Sequence, residues 1–216
     1  MRRTTSGARG ERRRGGRIAA LAEAVLWWTG ALLVGTALWM LADAAWYQRQ
    51  ARDVLRTAAL GSVPTAAARS ATTAAAGTPI ARLTIPRLDL DVIVAEGDDD
   101  DVLRRAIGRV PGSARLGDES GNVTLAGHRD TFFRSLEEIR TGDLIFVERD
   151  AVRDAYRVEW AAVVEPSRIA VLSDAGYAAL TLVTCYPFRY VGEAPYRFVV
   201  RARRVDDASA GETAAG

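Results

Sequence analysis

The sequence predicts a mostly β domain, a closed antiparallel or mixed barrel, preceded by one N-terminal transmembrane helix. Seven short segments after residue 79 either alternate between apolar and polar residues or are rich in β-branched residues, as strands are. One or two short helical segments lie between them. The run Ala24–Ala42 holds 19 residues without a charge. As a helix it is close in length to the ~30 Å hydrocarbon core of a bilayer. Seven arginines and one glutamate precede it within residues 1–17.

These features divide the N-terminal part into a basic cytoplasmic tail over residues 1–23 and a transmembrane anchor over residues 24–42. The arginine cluster places the N-terminus in the cytoplasm and the rest of the chain outside, and tryptophans near both ends of the run fit interfacial aromatic belts. Residues 1–17 are rich in Gly and Arg and are expected to be disordered. A cleaved signal peptide is the alternative, because Ala42-Asp43-Ala44 resembles a cleavage site, but the apolar run exceeds the 7–15 residues of an ordinary signal peptide.

Charge and cysteine usage exclude several classes of function. Beyond residue 17 the chain holds 22 arginines and 26 acidic residues, a balance of −4. The folded part therefore lacks the positive charge of a nucleic-acid-binding domain. A single cysteine excludes an internal disulfide and a zinc site built from several thiolates, and we expect no metal and no cofactor.

Residues 43–78 are predicted to be an extracytoplasmic linker whose first part, to about Leu60, continues as a helix and whose remainder is flexible. A folded β domain is predicted over residues 79–205, and a disordered tail over residues 206–216. Predicted strands cover residues 81–86, 88–94, 121–128, 142–148, 155–164, 180–184 and 196–205. Asp98–Asp101 and the apolar residues after them, to Ile107, predict a helix with an acidic first turn. A calcium site is the alternative, but four consecutive acids lack the spacing of an EF-hand.

The only cysteine, Cys185, lies at the end of a predicted strand that Tyr186-Pro187 terminates. Period-2 alternation puts Leu180 and Leu182 on the face opposite Cys185. A core that takes the leucines therefore turns the thiol outwards, where it is accessible for chemistry. A lone cysteine can also be a small buried hydrophobic residue.

The only histidine, His128, also lies at the end of a predicted strand. A thiol and an imidazole together form the minimum set for a nucleophile with an acid/base partner. Arg197 begins the last strand and faces away from its apolar side, as Cys185 does on its own strand. A guanidinium cannot act as a base, so its plausible work is to hold a carbonyl and the oxyanion that develops from it. A solvated surface charge is the alternative.

Three stretches resemble the signatures of the sortases: Leu125-Ala-Gly-His-Arg-Asp-Thr-Phe-Phe, Leu182-Val-Thr-Cys-Tyr-Pro-Phe and Ala194-Pro-Tyr-Arg-Phe-Val-Val. Thr-Cys-Tyr-Pro-Phe is most similar to class D. The resemblance covers about residues 79–205 and implies an eight-stranded sortase-type β-barrel with a His128–Cys185–Arg197 active site. Among the residues in and beside these motifs, we expect Thr184, Tyr186, Thr131 and Phe132 to bind substrate.

The resemblance also implies the reaction, that of a cysteine transpeptidase and endopeptidase of the hydrolase class. Cys185 attacks the bond after Thr in a Leu-Pro-x-Thr type sorting signal and forms a thioester, and an amine then takes the acyl group from the sulfur. The implied partners are surface proteins that carry the signal and an amine acceptor, such as a peptidoglycan precursor or a pilin lysine. A membrane-tethered cysteine hydrolase that uses water as acceptor is one alternative, and a non-catalytic adhesin or scaffold is another.

Overall fold

The computed structural model of this chain describes residues 8–61, 74–149, 152–168 and 176–206. The predictions for residues 1–7, for the middle of the linker and for the C-terminal tail from residue 207 lie outside the described residues. The chain divides after Asp43 into two compact units.

Helix α1 (Ala8–Gly61) is 54 residues long. It begins at Ala8, so the prediction of disorder is wrong for residues 8–17, where a helix already nucleated further along the chain extends at little cost. The segment over residues 21–58 is long and apolar enough to cross a membrane, by length and composition. The apolar side chains of residues 21–41 are exposed, as in Trp28 at 77% and Leu33 at 70%.

Among the described residues, eight strands form one closed barrel with the spatial order β1-β2-β3-β4-β7-β8-β6-β5. The strands are β1 (Pro79–Ile85), β2 (Leu90–Glu96), β3 (Ile107–Arg109), β4 (Asn122–Ala126), β5 (Leu144–Arg149), β6 (Val152–Val164), β7 (Ala179–Tyr186) and β8 (Tyr196–Val205). The pairs β2–β3 and β4–β7 are parallel and the other six are antiparallel. The prediction of a mostly β barrel that follows a long apolar N-terminal helix in the chain is confirmed.

Alternating residues of the strands fill the barrel interior. On β7 these are Leu180 and Leu182, and on β8 they are Val200 and Ala202, all fully buried. The side chains that the sequence alternation assigned to the core therefore do point into the barrel. Thr181 is buried as well, although it lies on the other face, and its hydroxyl donates to Asn122 Oδ1 on β4 at 2.7 Å.

The helix predicted over residues 98–107 is shorter than expected, and a strand replaces its end. Helix α2 covers only Asp100–Leu103, and Asp99 caps it by accepting from the backbone N–H groups of Asp101 and Val102. The prediction is wrong at Ile107, which begins β3. A Cβ on Gly108 would lie 2.0 Å from the Gly97 carbonyl oxygen, so this strand needs a glycine to approach its neighbour. Three residues are too few to show an alternating pattern.

The second part of α1, residues 44–58, lies on the outside of β2, although the sequence predicted a linker there. Gln48 is buried and bonds twice: its Oε1 accepts from Ile93 N at 3.0 Å, and its Nε2 donates to Arg105 O at 2.7 Å. The Tyr47 hydroxyl donates to Gly77 O at 2.7 Å. Because β3 is short, the backbone of β2 needs other partners beyond it, and Gln48 supplies one.

Candidate active site

Cys185 and Arg197 lie opposite each other on neighbouring strands. Strands β7 and β8 are antiparallel, and their register pairs Cys185 with Arg197 and Tyr186 with Tyr196. Directly opposite residues have their Cβ atoms ≈ 4.5–5.5 Å apart and project to the same face. The Cys185 thiol is therefore partly buried beside a guanidinium, without any loop having to bring the two together.

His128 reaches the same place through the parallel pair β4–β7. The ladder pairs Ala126 with Val183, and Gly127 N continues it by donating to Val183 O at 3.1 Å. Continued for two residues beyond the Ala126–Val183 pair, this register would pair His128 with Cys185. The His128 carbonyl then accepts from Phe133 N at 3.1 Å, which closes the turn after the histidine.

Gly127 is required at this turn for steric reasons. A Cβ at position 127 would lie 2.7 Å from Cδ2 of the Phe133 ring, and Phe133 is fully buried. The glycine in front of the histidine therefore lets the chain pass close over a core ring. This packing sets the direction in which the chain leaves β4.

A pocket of about 240 Å³ gathers the three predicted catalytic side chains. It is lined by His128, Arg129, Asp130, Cys185, Gly192, Glu193, Ala194 and Arg197. The Arg197 Nη1 donates to the carbonyl oxygens of Ala194 at 3.2 Å and Tyr196 at 3.1 Å. These bonds hold the guanidinium at the pocket, where its remaining N–H groups can donate to a substrate carbonyl.

The predicted substrate-binding residues on β7 have contacts within the protein. Thr184 is buried, and its Oγ1 donates to Gly127 O at 2.7 Å, which ties β7 to the loop that carries His128. The Tyr186 ring lies 6.0 Å from the Phe188 ring and 6.3 Å from the Phe198 ring. Both phenylalanines pack against the barrel core, so Tyr186 belongs to an aromatic cluster rather than to the lining of the pocket.

Thr131 and Phe132 line a different groove, of about 520 Å³. Leu88–Val92, the turn that includes Arg134 and Glu138, and Arg189 form the rest of this groove. Thr131 is exposed, and Phe132 packs partly against the core. The sequence places both residues within five positions of His128, but the turn after the histidine carries them out of the pocket that holds His128 and Cys185.

The prediction from sequence missed part of the pocket lining. Arg129 and Asp130 directly follow His128 in the first of the three sortase-like stretches, so that stretch could have identified them. Gly192–Ala194 lie on the connection between β7 and β8, and no local pattern singles them out.

Comparison with known proteins agrees with this architecture. A family model described as the sortase domain matches residues 83–205. Among curated proteins, a sortase D of Bacillus subtilis (strain 168) is 33% identical over 124 residues. That alignment covers 57% of this chain and 62% of the relative, so the chain spans less than two thirds of the relative's length.

Two solved structures extend the comparison to the fold. A sortase D5 transpeptidase of Clostridium perfringens superposes with a TM-score of 0.64 at 23% identity, over 74% of this chain and 99% of that one. Sortase E1 of Streptomyces coelicolor, solved with a tripeptide in its active site, superposes with a TM-score of 0.55 at 31% identity. This second match covers 60% of this chain and 90% of the other.

Proposed function

The chain belongs to the sortase family, and on this premise we propose that it is a membrane-anchored cysteine transpeptidase of the class D type. The proposed substrates are surface proteins with a Leu-Pro-x-Thr type signal, which the enzyme cleaves after Thr. The proposed acceptor is an amine, such as that of a peptidoglycan precursor or a pilin lysine. The observation that carries the proposal is the shared pocket of Cys185, His128 and Arg197, which three neighbouring strands bring together.

In the proposed first step, Cys185 Sγ attacks the carbonyl carbon of the Thr in the sorting signal. A C–S bond forms, the C–N bond to the next residue breaks, and His128 donates a proton to the departing amine. Arg197 donates hydrogen bonds to the carbonyl oxygen as it becomes an oxyanion. The position of Arg197 directly opposite Cys185 supports this role, because the oxyanion develops on the carbon that the thiolate attacks.

In the second step, an amine attacks the thioester carbonyl, His128 takes its proton, and the thiolate of Cys185 leaves. Water in place of the amine turns the same enzyme into a hydrolase, so only the acceptor distinguishes the two activities. The shared first step means that a variant of the catalytic residues cannot separate them. The acceptor must be varied instead.

A peptide assay tests the proposal. The purified protein is incubated with a peptide that contains Leu-Pro-x-Thr followed by Gly or Ala, with and without an amine acceptor. The products are then identified by mass spectrometry. We expect a thioester adduct on the wild-type protein and an amide product that requires the amine. Release of the free acid alone, at the same rate with and without amine, indicates the hydrolase. No adduct and no cleavage in the wild type contradicts both enzymatic functions.

We further propose that α1 anchors the protein in the cell membrane, with its N-terminus in the cytoplasm and the barrel outside. The exposed apolar side chains of residues 21–41 and the preceding arginines support this topology. A protease added to intact cells or spheroplasts should then reach the residues beyond about 60 and spare the N-terminus. Digestion of the N-terminal tail alone contradicts the orientation.

A further inference from the structure

The connection between β7 and β8, residues 187–195, forms one wall of the catalytic pocket. Gly192, Glu193 and Ala194 line the pocket from this side, and the Ala194 carbonyl accepts a hydrogen bond from Arg197. The paired part of β7 and β8 ends at Tyr186 and Tyr196. Within the described part of the chain, the backbone of residues 187–195 makes no hydrogen bond to another backbone group. The wall therefore depends on side chains for its position.

One side chain, that of Arg129, holds this wall from across the pocket. Its Nη2 donates to the carbonyl oxygens of Tyr190 at 2.9 Å and Gly192 at 3.1 Å. Its guanidinium carbon lies 5.7 Å from the centre of the Tyr190 ring, within the range of a cation–π contact. Arg129 follows His128 directly in the chain and also lines the pocket. It therefore joins the loop that carries the histidine to the loop between the cysteine and the arginine.

The chemistry of arginine suits this contact. Its planar guanidinium is always charged, and the two N–H groups of Nη2 donate to two carbonyl oxygens in fixed directions while one face remains free to lie against a ring. A lysine keeps the charge and can donate to both carbonyls, but it has no flat face to lie against the ring. The other arginine of the same region, Arg189, is different: its side chain is 83% exposed, and its carboxylate partner, Glu137, is 3.8 Å away.

We propose that Arg129 is a positioning residue that latches the β7–β8 connection to the histidine loop and so sets the width of the pocket in which the acyl donor binds. This inference rests on the proposed transpeptidase function. It adds Arg129 as a residue that affects the reaction through the position of the pocket wall. Because the latch acts on the wall and not on the thiol or the imidazole, its loss raises KM for the sorting peptide more than it lowers kcat. The pH profile of kcat is unchanged.

The test compares Arg129→Ala, Arg129→Lys and the matched control Arg189→Ala in the full-length protein. Limited digestion with chymotrypsin, followed by mass spectrometry, reports on cleavage after Tyr190, and steady-state kinetics with the sorting peptide reports on KM and kcat. Losing two hydrogen bonds to the loop and the contact with the Tyr190 ring is expected to speed this cleavage and to raise KM, each by about tenfold or more, in Arg129→Ala. Arg129→Lys is expected to show the same two effects to a smaller degree, and Arg189→Ala neither.

Each outcome decides the proposal. Unchanged cleavage after Tyr190 in Arg129→Ala overturns the latch. Faster cleavage with an unchanged KM overturns the role of the latch in the pocket. If Arg129→Ala fails to fold, Arg129→Gln replaces it, since glutamine keeps a polar side chain but is shorter and uncharged. If the wild-type protein does not act on sorting peptides, the proposed function fails, while the rate of cleavage after Tyr190 and the alkylation rate of Cys185 by iodoacetamide still decide whether Arg129 holds the wall.

Discussion

The proposed active site combines two regions that are built differently. Cys185 and Arg197 stand on paired strands, one pair before the end of a register that runs through eight residue pairs from Ala179 to Tyr186. His128 stands two residues beyond the end of β4, and individual hydrogen bonds hold its loop, among them Thr184 Oγ1 to Gly127 O. Moving the first region by one residue flips every side chain of the strand to the other face. Moving the second changes individual bonds and no strand register.

This contrast indicates which part of the site is rigid and which is adjustable. The proposed nucleophile and the proposed oxyanion donor need a fixed mutual position, which a strand register supplies. The proposed acid/base group would face first a leaving amine and then an incoming one, and it lies on the adjustable side. We therefore expect substitutions of Cys185 and Arg197 to affect chemistry alone and substitutions of the residues that support the histidine loop to have graded effects.

The largest effect is expected from the strand region, at the nucleophile. Cys185→Ala removes the atom that forms the thioester, so we expect no acyl-enzyme and no turnover. Intact-protein mass after incubation with the sorting peptide checks this. An adduct on the alanine variant indicates a different nucleophile and contradicts the assignment, because the sequence contains no second cysteine.

The next largest effect is expected on the loop side, at His128. Replacing it with Ala removes the acid/base group, and turnover should fall by ~10²-fold or more. Single-turnover kinetics separates acylation from transfer, and both steps should slow. Near-normal turnover in this variant means that another group, such as Asp130 in the same pocket, moves the proton.

A conservative change at Arg197 tests the strand register. Arg197→Lys keeps a positive charge but loses the fork, and we expect a cost on the order of the 2.7–4 kcal/mol seen when an oxyanion donor is lost, or 10²-fold or more in kcat/KM. The matched control is Arg189→Lys, on the exposed loop, which should stay within about tenfold of wild type. An undiminished kcat/KM in Arg197→Lys means that charge alone matters at this position, and equal losses in both variants mean that the position opposite Cys185 is not special.

Thr184→Val should have a smaller effect, because it breaks the bond between the two regions without touching the chemistry. The valine leaves the Gly127 carbonyl without its hydroxyl donor, and one lost hydrogen bond is worth about 1 kcal/mol. We expect kcat/KM to fall by tenfold or less and the melting temperature to fall slightly. Thr184→Ser keeps the hydroxyl and should restore both. A serine variant as impaired as the valine variant shows that the methyl group is what matters.

Gln48→Ala should leave the rate unchanged, because this residue contacts neither region. It bonds Ile93 N and Arg105 O on the outside of the barrel, so its loss should cost about 1–3 kcal/mol of unfolding free energy, as expected for a buried donor left without a partner. Chemical denaturation of the wild type and the variant, with the kinetics measured well below the melting temperature, checks this. A reduced rate at full folding shows that α1 influences the site.

The long apolar helix, seven of the eight described strands and the faces of β7 and β8 could be predicted from the amino-acid sequence alone. These are local properties, because alternation with period 2 and an uninterrupted apolar run can be read from neighbouring residues. The inward leucines of β7 and the apolar face of β8 followed directly from that alternation. The eighth strand came only through the family resemblance, since β3 has three residues and includes a glycine.

Only the tertiary structure decided which residues share the pocket. The β7–β8 register places Cys185 opposite Arg197, which lies twelve residues later in the chain. The parallel pairing of β4 with β7 brings Cys185 close to His128, which lies 57 residues earlier. The same pairings turn Thr131 and Phe132 into another groove, bring Arg129 to the carbonyls of Tyr190 and Gly192, and let Gln48 bond β2. The physical reason is that barrel closure selects these pairings collectively, through the burial of all inward side chains at once, whereas the sequence around each residue carries only its own periodicity.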